Sequence, residues 1–390
     1  MDETARTRRA GRDGRLVGRV LGIPIYLNAS IYVLAALVTF VYGDYVRAEL
    51  RLPAAAGYAV GLGFVVCLLG SVLLHELGHA LTARRFGIDV RGITLELLGG
   101  WTEMDRDAPG PRVDLLVSLA GPAVSLVLGG IASATAFALP DRTVLDQIFF
   151  QLAASNIIVA IFNVLPGLPL DGGRALRAGV WALIKDRNRA TEIAGWAGRL
   201  IAFATGCVVV ALYQLRVVTL FGMLFVLLVV FTLWQGAGQS IRLARMSRRF
   251  PLIDLRTLSR PVLVVPSGTS LGEAERRATQ DGRPGIAMAA ADSSGRIVAL
   301  ADPIAAARVP VDRRPWVPLD SVARGVDGMP ALSVEASGEQ VVKAVQAHPG
   351  AQYLVTAGED VVGVLDVGDL AAFLEPRRVP RRRGTAPADR

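Results

Sequence analysis

The chain has 390 residues, of which 52% are hydrophobic, and its formal net charge is +8. Its mean hydropathy of +0.43 is too high for an ordinary soluble protein and indicates a polytopic membrane protein. The charge alone would allow a nucleic-acid-binding protein, but most basic residues flank apolar segments, where they set membrane topology. We therefore expect a lipid bilayer, and no nucleic acid, around this chain.

Six apolar segments are long enough, at about 20 residues each, to span a bilayer. They cover residues 23–43, 57–83, 113–139, 146–170, 192–213 and 217–238. Twenty Lys and Arg residues lie in the N-terminal tail and in alternate connections, against four in the remaining connections. The positive-inside rule then predicts that both termini are cytoplasmic.

The second apolar segment ends in SVLLHELGHALTARRFG, which contains two of the three histidines of the chain. His75 and His79 are four residues apart and share one face of a helix, with Glu76 between them. In this HExxH pattern the imidazoles bind Zn²⁺ and the glutamate takes a proton from water. Because ionisable groups are costly in a span and normally mark function, the motif predicts a zinc site.

The connection that follows, DVRGITLELLGGWTEMDR (89–106), alternates apolar and polar residues around a Gly99–Gly100 turn. This pattern predicts a β-hairpin. An exposed edge of the hairpin would allow an extended peptide to pair by β-addition. A plain cytoplasmic hairpin is the alternative.

A catalytic zinc site needs a third protein ligand and an open position. No further histidine lies in the membrane part, so we expect a carboxylate. The fourth segment ends in NVLPGLPLDGGRALR (163–177), where Asp171 is the only acidic residue between Asp146 and Asp186. The prolines and glycines predict a broken helix, which membranes tolerate where it lines a cavity. The alternative is that Asp171 is a turn residue that ends the helix.

Together, HELGHA (75–80) and NVLPGLPLDGG (163–173) resemble the motifs of the site-2 proteases, which are intramembrane zinc metalloproteases. The resemblance covers about residues 15–240. It implies one Zn²⁺ per chain, bound by His75, His79 and Asp171, with Glu76 as the catalytic base. It also implies that Asn163 helps to hold the scissile carbonyl or its oxyanion. SLAGPAVS (118–125) is similar to a Gly-Pro element of the family, although close helix packing explains its small residues equally well.

The resemblance also implies a substrate class, namely transmembrane segments of an anti-sigma factor or another membrane regulator. Cleavage would belong to regulated intramembrane proteolysis in a bacterial plasma membrane. A transporter or channel regulated by its cytoplasmic domain explains the six spans, but not why HExxH and Asp171 converge. A membrane di-iron oxidase needs many more than three histidines. A zinc protease with a glutamate as third ligand would need a suitable Glu in a later span.

After Phe250 the composition becomes that of a soluble α/β domain with an internal repeat. The two units begin at Pro261 and Pro330, and each predicts strand, helix, strand, turn, strand and helix. The repeat resembles a tandem pair of CBS domains, which a subgroup of site-2 proteases carries at its cytoplasmic end. Such a pair can mediate a homodimer or filter substrates.

CBS pairs often bind adenine nucleotides through a Gly-x-x-Thr/Ser-x-x-Asp ending. The second unit has GVLDVGD (363–369), which keeps Asp369 as a ribose contact but places Asp366 where a hydroxyl is expected. The first unit has Ala301 and Ile304 at the two positions. These departures argue against adenine nucleotide binding.

The sequence thus predicts a polytopic α-helical membrane protein of six transmembrane helices with a C-terminal cytosolic tandem CBS-like domain. The predicted divisions are a basic cytosolic tail, a six-helix metalloprotease domain, a basic linker, the CBS-like domain and a basic disordered tail. Their bounds are 1–22, 23–238, 239–250, 251–375 and 376–390.

Overall fold

The structure, a computed structural model, describes residues 14–97, 99–282, 285–358 and 360–374. The chain divides into two compact units, Met1–Ala244 and Arg245–Arg390. The predicted tail 376–390 lies outside the described residues, as do residues 1–13 of the predicted tail 1–22.

The first unit consists mainly of helices. In chain order its elements are β1 (Arg15–Val20), β2 (Ile23–Leu27), α1 (Ser30–Leu50), α2 (Ala54–Arg85), β3 (Val90–Glu96), β4 (Gly99–Met104), α3 (Pro111–Ala138), α4 (Val144–Val164), α5 (Asp171–Ile184), α6 (Arg187–Gln214) and α7 (Leu220–Ser247). Within the described residues, six of these helices, all except α5, are long and apolar enough to cross a membrane. The predicted helical membrane core is therefore present.

The first predicted span, 23–43, is wrong at its beginning, because residues 23–27 form strand β2 rather than helix. β2 pairs antiparallel with β1, which lies within the predicted tail 1–22. The turn between them, at Leu21 and Gly22, has φ values of 51° and 78°, and a two-residue type I′ hairpin turn needs positive φ at both positions. Alternate side chains of β2 are buried, which is the pattern of a strand with one face packed against a core. The short apolar sequence of β2 is therefore a strand and not the beginning of a helix.

The fourth predicted span, 146–170, is also too long. Helix α4 ends at Val164, an irregular turn with Pro166 and Pro169 follows, and α5 begins at Asp171. The backbone approaches closely here, since a Cβ atom on Gly172 would lie 2.1 Å from the carbonyl oxygen of Val164. The predicted break in the helix is therefore confirmed. Beyond the sixth span, α7 continues through most of the predicted linker 239–250.

The four strands form one sheet in the order β1-β2-β3-β4. β2 and β3 are parallel, and β3 and β4 are antiparallel, which confirms the predicted hairpin in 89–106. The predicted turn at Gly99–Gly100 is wrong, because both glycines lie in β4 and pair with Glu96 and Leu95 of β3. The buried face of the sheet, including Ile23 and Ile93, packs against Leu77 and Ala80 of α2. The sheet therefore covers the part of α2 that carries the HExxH motif.

A buried ion pair joins α3 to α5. Arg177 donates from Nε and Nη2 to both carboxylate oxygens of Asp114, at 2.7–2.9 Å. The Asp114 side chain is 1% exposed, and Arg174 approaches it at 3.9 Å. Because an unpaired buried charge costs several kcal/mol, this pair restricts how α5 can lie against α3.

The second unit contains the rest of the chain. Its helices and strands are α8 (Leu255–Leu258), β5 (Arg260–Pro266), α9 (Leu271–Asp281), β6 (Ala287–Ala291), β7 (Ile297–Ala301), α10 (Pro303–Arg308), β8 (Ala323–Gly325), β9 (Ala331–Ser333), α11 (Gly338–Ala347), β10 (Gln352–Ala357), β11 (Asp360–Asp366) and α12 (Val367–Leu374). Short 3₁₀ helices lie at Phe250–Leu252 and Leu319–Val322.

The strands of this unit form one seven-stranded sheet in the order β8-β7-β6-β5-β11-β10-β9. In each half, the first two strands are parallel and the next is antiparallel to the second. The halves meet where β5 pairs antiparallel with β11. The predicted internal repeat, with its strand–helix–strand–strand–helix order, is therefore confirmed.

We predict that Asp114→Asn destabilises the membrane unit by about 3–5 kcal/mol, because the buried Arg177 guanidinium loses its counter-ion. Denaturant titration of the full chain in mixed micelles measures the free energy of unfolding. The matched control is Asp107→Asn, which breaks the pair with Arg187 at a carboxylate that is 72% exposed. Exposed pairs contribute about 0–1 kcal/mol, so equal losses in both variants would contradict a structural role for the buried pair.

Candidate active site

The HExxH motif lies near the end of α2, where the sheet covers it. The exposed fractions of His75, Glu76 and His79 are 5%, 6% and 3%. The two imidazole rings project from the same side of the helix, with their centroids 5.0 Å apart. Three ionisable side chains are thus removed from solvent within little more than one helical turn.

Asp171, the first residue of α5, brings its carboxylate to these imidazoles. Its Oδ2 atom lies 3.2 Å from Nε2 of His75 and 3.1 Å from Nε2 of His79. The two Nε2 atoms are 3.3 Å apart. The structure therefore places together the three residues that the sequence predicts as metal ligands.

The three atoms have the spacing that a zinc ion requires. With Zn–N and Zn–O bonds of about 2.0–2.1 Å, tetrahedral ligand atoms lie about 3.3 Å apart. Nδ1 of His79 donates to the carbonyl oxygen of Val117 at 2.7 Å, so Nε2 of the neutral ring carries no proton and offers a lone pair. A nitrogen lone pair and an ionised carboxylate oxygen repel each other at this distance. A cation between them removes the repulsion. The donor set fits Zn²⁺.

One face of α3 supports both histidines. Val117 accepts the hydrogen bond from His79, and Ser125 Oγ lies 2.9 Å from Nδ1 of His75. Between them is Gly121, where a Cβ atom would lie 2.2 Å from Nε2 of His79 and 2.6 Å from Nε2 of His75. Residues four apart on a helix share a face. One face of α3 therefore supplies the two oxygen atoms that orient the imidazole rings and, at Gly121, the space that the rings occupy.

Glu76 is oriented by strand β4 rather than by its own helix. Thr102 Oγ1 donates to Oε2 of Glu76 at 2.7 Å. A Cβ atom on Gly100 would lie 2.7 Å from Cγ of Glu76, so the strand can lie this close only with glycine at that position. The hairpin and the predicted base are therefore parts of one site.

A cavity of about 200 Å³ adjoins these groups. Its lining includes His75, Glu76, Asp171 and Asn163. Asn163 is half-buried near the end of α4, and Asn156, two turns earlier, also lines the cavity and is 3% exposed. The structure thus brings the predicted base and the predicted oxyanion residue to the same space.

Sequence reasoning missed several residues that complete the site. Ser125 was read only as part of a small-residue element, although its eight-residue spacing from Val117 indicates a shared helix face. Thr102 and Asn156 carry no local signal of their role, because each reaches the site through contacts between distant segments. The same holds for the Asp114–Arg177 pair.

Asp369, the weakly predicted nucleotide contact, lies apart from this site in the second unit. Its Oδ2 accepts a hydrogen bond from Nε of Arg260 at 2.8 Å, and this carboxylate raises the pKa of the Arg260 guanidinium. Asp366 accepts from the backbone N–H of Gly368 at 2.8 Å. Both acidic groups are therefore engaged within the fold.

We predict that Gly121→Ala abolishes metal binding, because the added methyl group would occupy the space of both Nε2 atoms. Zinc content per chain, measured by atomic emission on purified protein, should fall well below that of the wild type. Gly130→Ala is the matched control on the same helix, since a Cβ atom there would meet nothing within 4 Å. Zinc retention by Gly121→Ala would contradict the site geometry.

The chain is similar to several known proteins. The family model described as Peptidase family M50 matches residues 63–152 and 139–205. "Putative zinc metalloprotease" of Synechocystis sp. is 29% identical over 366 residues, which cover 92% of this chain and 95% of that protein. "Putative zinc metalloprotease Rip3" of Mycobacterium tuberculosis is 37% identical over 195 residues, which cover 49% of this chain and half of that protein.

Two solved structures are also similar to parts of the chain. The site-2 protease from Methanocaldococcus jannaschii is 25% identical, with a TM-score of 0.43, and the match covers 58% of this chain and 95% of that one. A CBS domain protein from Thermoplasma acidophilum is 16% identical, with a TM-score of 0.25, and the match covers 32% of this chain and 70% of that one.

The matched family model spans both the HExxH helix and the Asp171 segment, and the two relatives are named as zinc metalloproteases. The part of the chain that carries the site therefore matches peptidase family M50, and the chain is similar to proteins named as zinc metalloproteases.

Proposed function

We propose that the chain is an intramembrane zinc endopeptidase that hydrolyses peptide bonds within transmembrane segments of membrane proteins. The observation that carries this proposal is the triangle of His75, His79 and Asp171, whose ligand atoms lie 3.1–3.3 Å apart beside a cavity. One zinc ion per chain fits there. When bound, it would polarise the scissile carbonyl and lower the pKa of water at the site.

Glu76 is the proposed general base. Its carboxylate accepts a proton from the attacking water and delivers a proton to the leaving amine nitrogen as the peptide bond breaks. Thr102 holds Oε2 by a hydrogen bond, which leaves Oε1 to take part in proton transfer. A fixed carboxylate is more effective than a mobile one because its reacting oxygen does not have to be reoriented.

Asn163 is the proposed stabiliser of the developing oxyanion. Asn163 lines the same cavity as Glu76 and Asp171, and a side-chain amide is a suitable donor for this role. Loss of such a donor typically costs about 3 kcal/mol of transition-state stabilisation.

Substrate presentation by strand β4 is supported by its position. A transmembrane helix must unwind before hydrolysis, because its peptide groups are hydrogen-bonded within the helix. β4 is at one end of the strand order, so one of its edges is unpaired within the described sheet, and its Gly100 lies against Glu76. An unwound segment that adds to this edge would run beside the base.

The cellular role follows from the chemistry together with the charge distribution. The excess of Arg and Lys in alternate connections supports cytoplasmic termini in a bacterial plasma membrane, with cleavage near the cytoplasmic face. The proposed substrate is an anti-sigma factor or another membrane regulator, cleaved in regulated intramembrane proteolysis. The tandem CBS-like unit would serve as a homodimerisation or substrate-filtering module.

We predict about one zinc per chain in the detergent-purified wild type and far less in Asp171→Ala, because two imidazoles alone bind zinc weakly. Asp141→Ala is the matched control, since Asp141 is an exposed acidic residue away from the site. Wild-type protein that lacks zinc after gentle purification would contradict the protease proposal and favour a transporter or channel.

We predict that Glu76→Gln keeps its zinc but cleaves about 10²–10⁴-fold more slowly, since general base catalysis typically contributes that factor. Cells expressing this variant should accumulate membrane fragments that wild-type cells remove. Quantitative proteomics of the two membrane fractions measures the difference and identifies the substrate. Identical fragment profiles would refute the assignment of Glu76 as the base.

We predict that Thr102→Val lowers the cleavage rate of such a fragment about ten-fold, because hydrogen bonds to charged groups contribute about 1.5–3 kcal/mol. Thr102→Ser keeps the hydroxyl and should restore most of the rate, while zinc content stays unchanged in both variants. Equal rates for Val and Thr at this position would show that the contact does not orient Glu76.

A further inference from the structure

Arg199 is a cationic residue in the apolar part of α6, remote from the zinc ligands in sequence and assigned no part in hydrolysis. Its guanidinium carbon lies 5.0 Å from the ring centre of Trp196 and 5.1 Å from that of Trp234 on α7. Stacking between two indoles stabilises a cation. It leaves the N–H donors of the guanidinium without acceptors, because an indole ring offers only its π face.

No described residue gives the Arg199 guanidinium a hydrogen bond or an ion pair, and its Nε is buried without a partner. Arg177, another partly buried arginine of the same unit, is paired with Asp114. Ionisable residues within a span normally have a partner or a functional role. An anionic ligand from outside the described chain would satisfy Arg199.

An apolar groove of about 670 Å³ lies between α6 and α7, with Trp234 in its wall. It extends along α6 from Ala202 to Ala211, a distance of about 14 Å at 1.5 Å per residue. The groove is narrow, since a Cβ atom on Gly206 would lie 3.6 Å from Val230. Other lining residues are Phe203, Val210, Leu227 and Phe231.

The guanidinium lies toward the polar end of this helix pair. Its Nη2 lies 3.0 Å from the place of a Cβ atom on Gly238, one turn before Arg242 on α7. Long basic side chains extend in this way toward the headgroup region of a bilayer, and Trp is enriched at the same level. The apolar groove runs from this point into the membrane.

We propose that α6 and α7 bind an anionic phospholipid, whose phosphate pairs with Arg199 between Trp196 and Trp234 and whose acyl chain lies in the groove. The cation and the apolar groove are continuous, which matches the charged head and apolar tail of a lipid. An apolar transmembrane helix would offer Arg199 no anion. A second copy of the chain would also leave Arg199 without an anion.

Native mass spectrometry of the full-length protein in mild detergent tests this proposal. The probes are dioleoyl phosphatidylglycerol, dioleoyl phosphatidylcholine and inorganic phosphate. Arg199→Gln removes the cation, and Gly206→Leu fills the groove. The matched controls are Arg189→Gln, an exposed arginine of the same helix, and Gly179→Leu, where a Cβ atom would meet nothing within 4 Å.

We expect phosphatidylglycerol to bind the wild type and both controls about ten-fold or more tightly than it binds Arg199→Gln, as for a lost charge-assisted hydrogen bond. Gly206→Leu should lose the lipid even though it keeps the cation. Zinc content should be unchanged in all variants, which separates this site from the proposed protease chemistry and shows that the variants fold.

Three results would overturn the proposal. Unchanged lipid binding in Arg199→Gln would show that the cation has no role. Inorganic phosphate that binds as tightly as the lipid would show an anion site that does not use the groove. Loss of a dimer in Gly206→Leu, without loss of lipid, would assign the groove to a second copy of the chain.

Discussion

The structure of the membrane unit depends on holding two imidazole nitrogens and a carboxylate within 3.3 Å of one another in an apolar interior. Hydrogen-bond acceptors at that distance repel each other unless a cation lies between them, and polar groups removed from water are costly. The surrounding residues show how the fold meets this constraint. Gly121 leaves the space, while Val117 and Ser125 fix the orientation of the imidazole rings.

The position of the third ligand requires a particular backbone as well as a carboxylate. Asp171 follows a turn in which the chain approaches itself so closely that Gly172 and Gly173 could not carry a Cβ atom without clashes. Two turns further along α5, Arg177 binds Asp114 on α3, the helix that also supports both histidines. The ion pair therefore joins the helix that carries one predicted ligand to the helix that orients the other two predicted ligands. Burial of a charged pair costs free energy, but its directional hydrogen bonds fix the relative position of α3 and α5 more closely than apolar contacts would.

The HExxH motif and the Asp171 segment lie beside a sheet that contributes none of the three predicted metal ligands. Strands β3 and β4 cover α2, and Thr102 and Gly100 orient Glu76. The proposed base is thus held by the strand that has an unpaired edge within the described sheet. In the proposed mechanism, this arrangement couples the placement of the substrate to the group that activates water. Arg177 has its partner within the protein, whereas the partner proposed for Arg199 is a lipid phosphate, and both cases follow from the cost of an unpaired charge in a span.

The sequence by itself determined the membrane class, the HExxH helix, the break at 165–170, the hairpin at 90–104 and the repeat in the second unit. These features have local periodicities or residue types that specify them: four-residue spacing for a helix face, alternation for strands, and proline and glycine for breaks. Strand β2 falls within the predicted span because residues 23–43 are mainly apolar, and short apolar sequences do not distinguish strand from helix. The meeting of Asp171 with His75 and His79 was predicted from ligand chemistry and from the family motifs, and the structure added its distances. Only the tertiary structure decided that Thr102 orients Glu76 and that Arg177 rather than solvent pairs with Asp114. Each of these contacts joins residues far apart in sequence, and their distances depend on how the helices and strands pack.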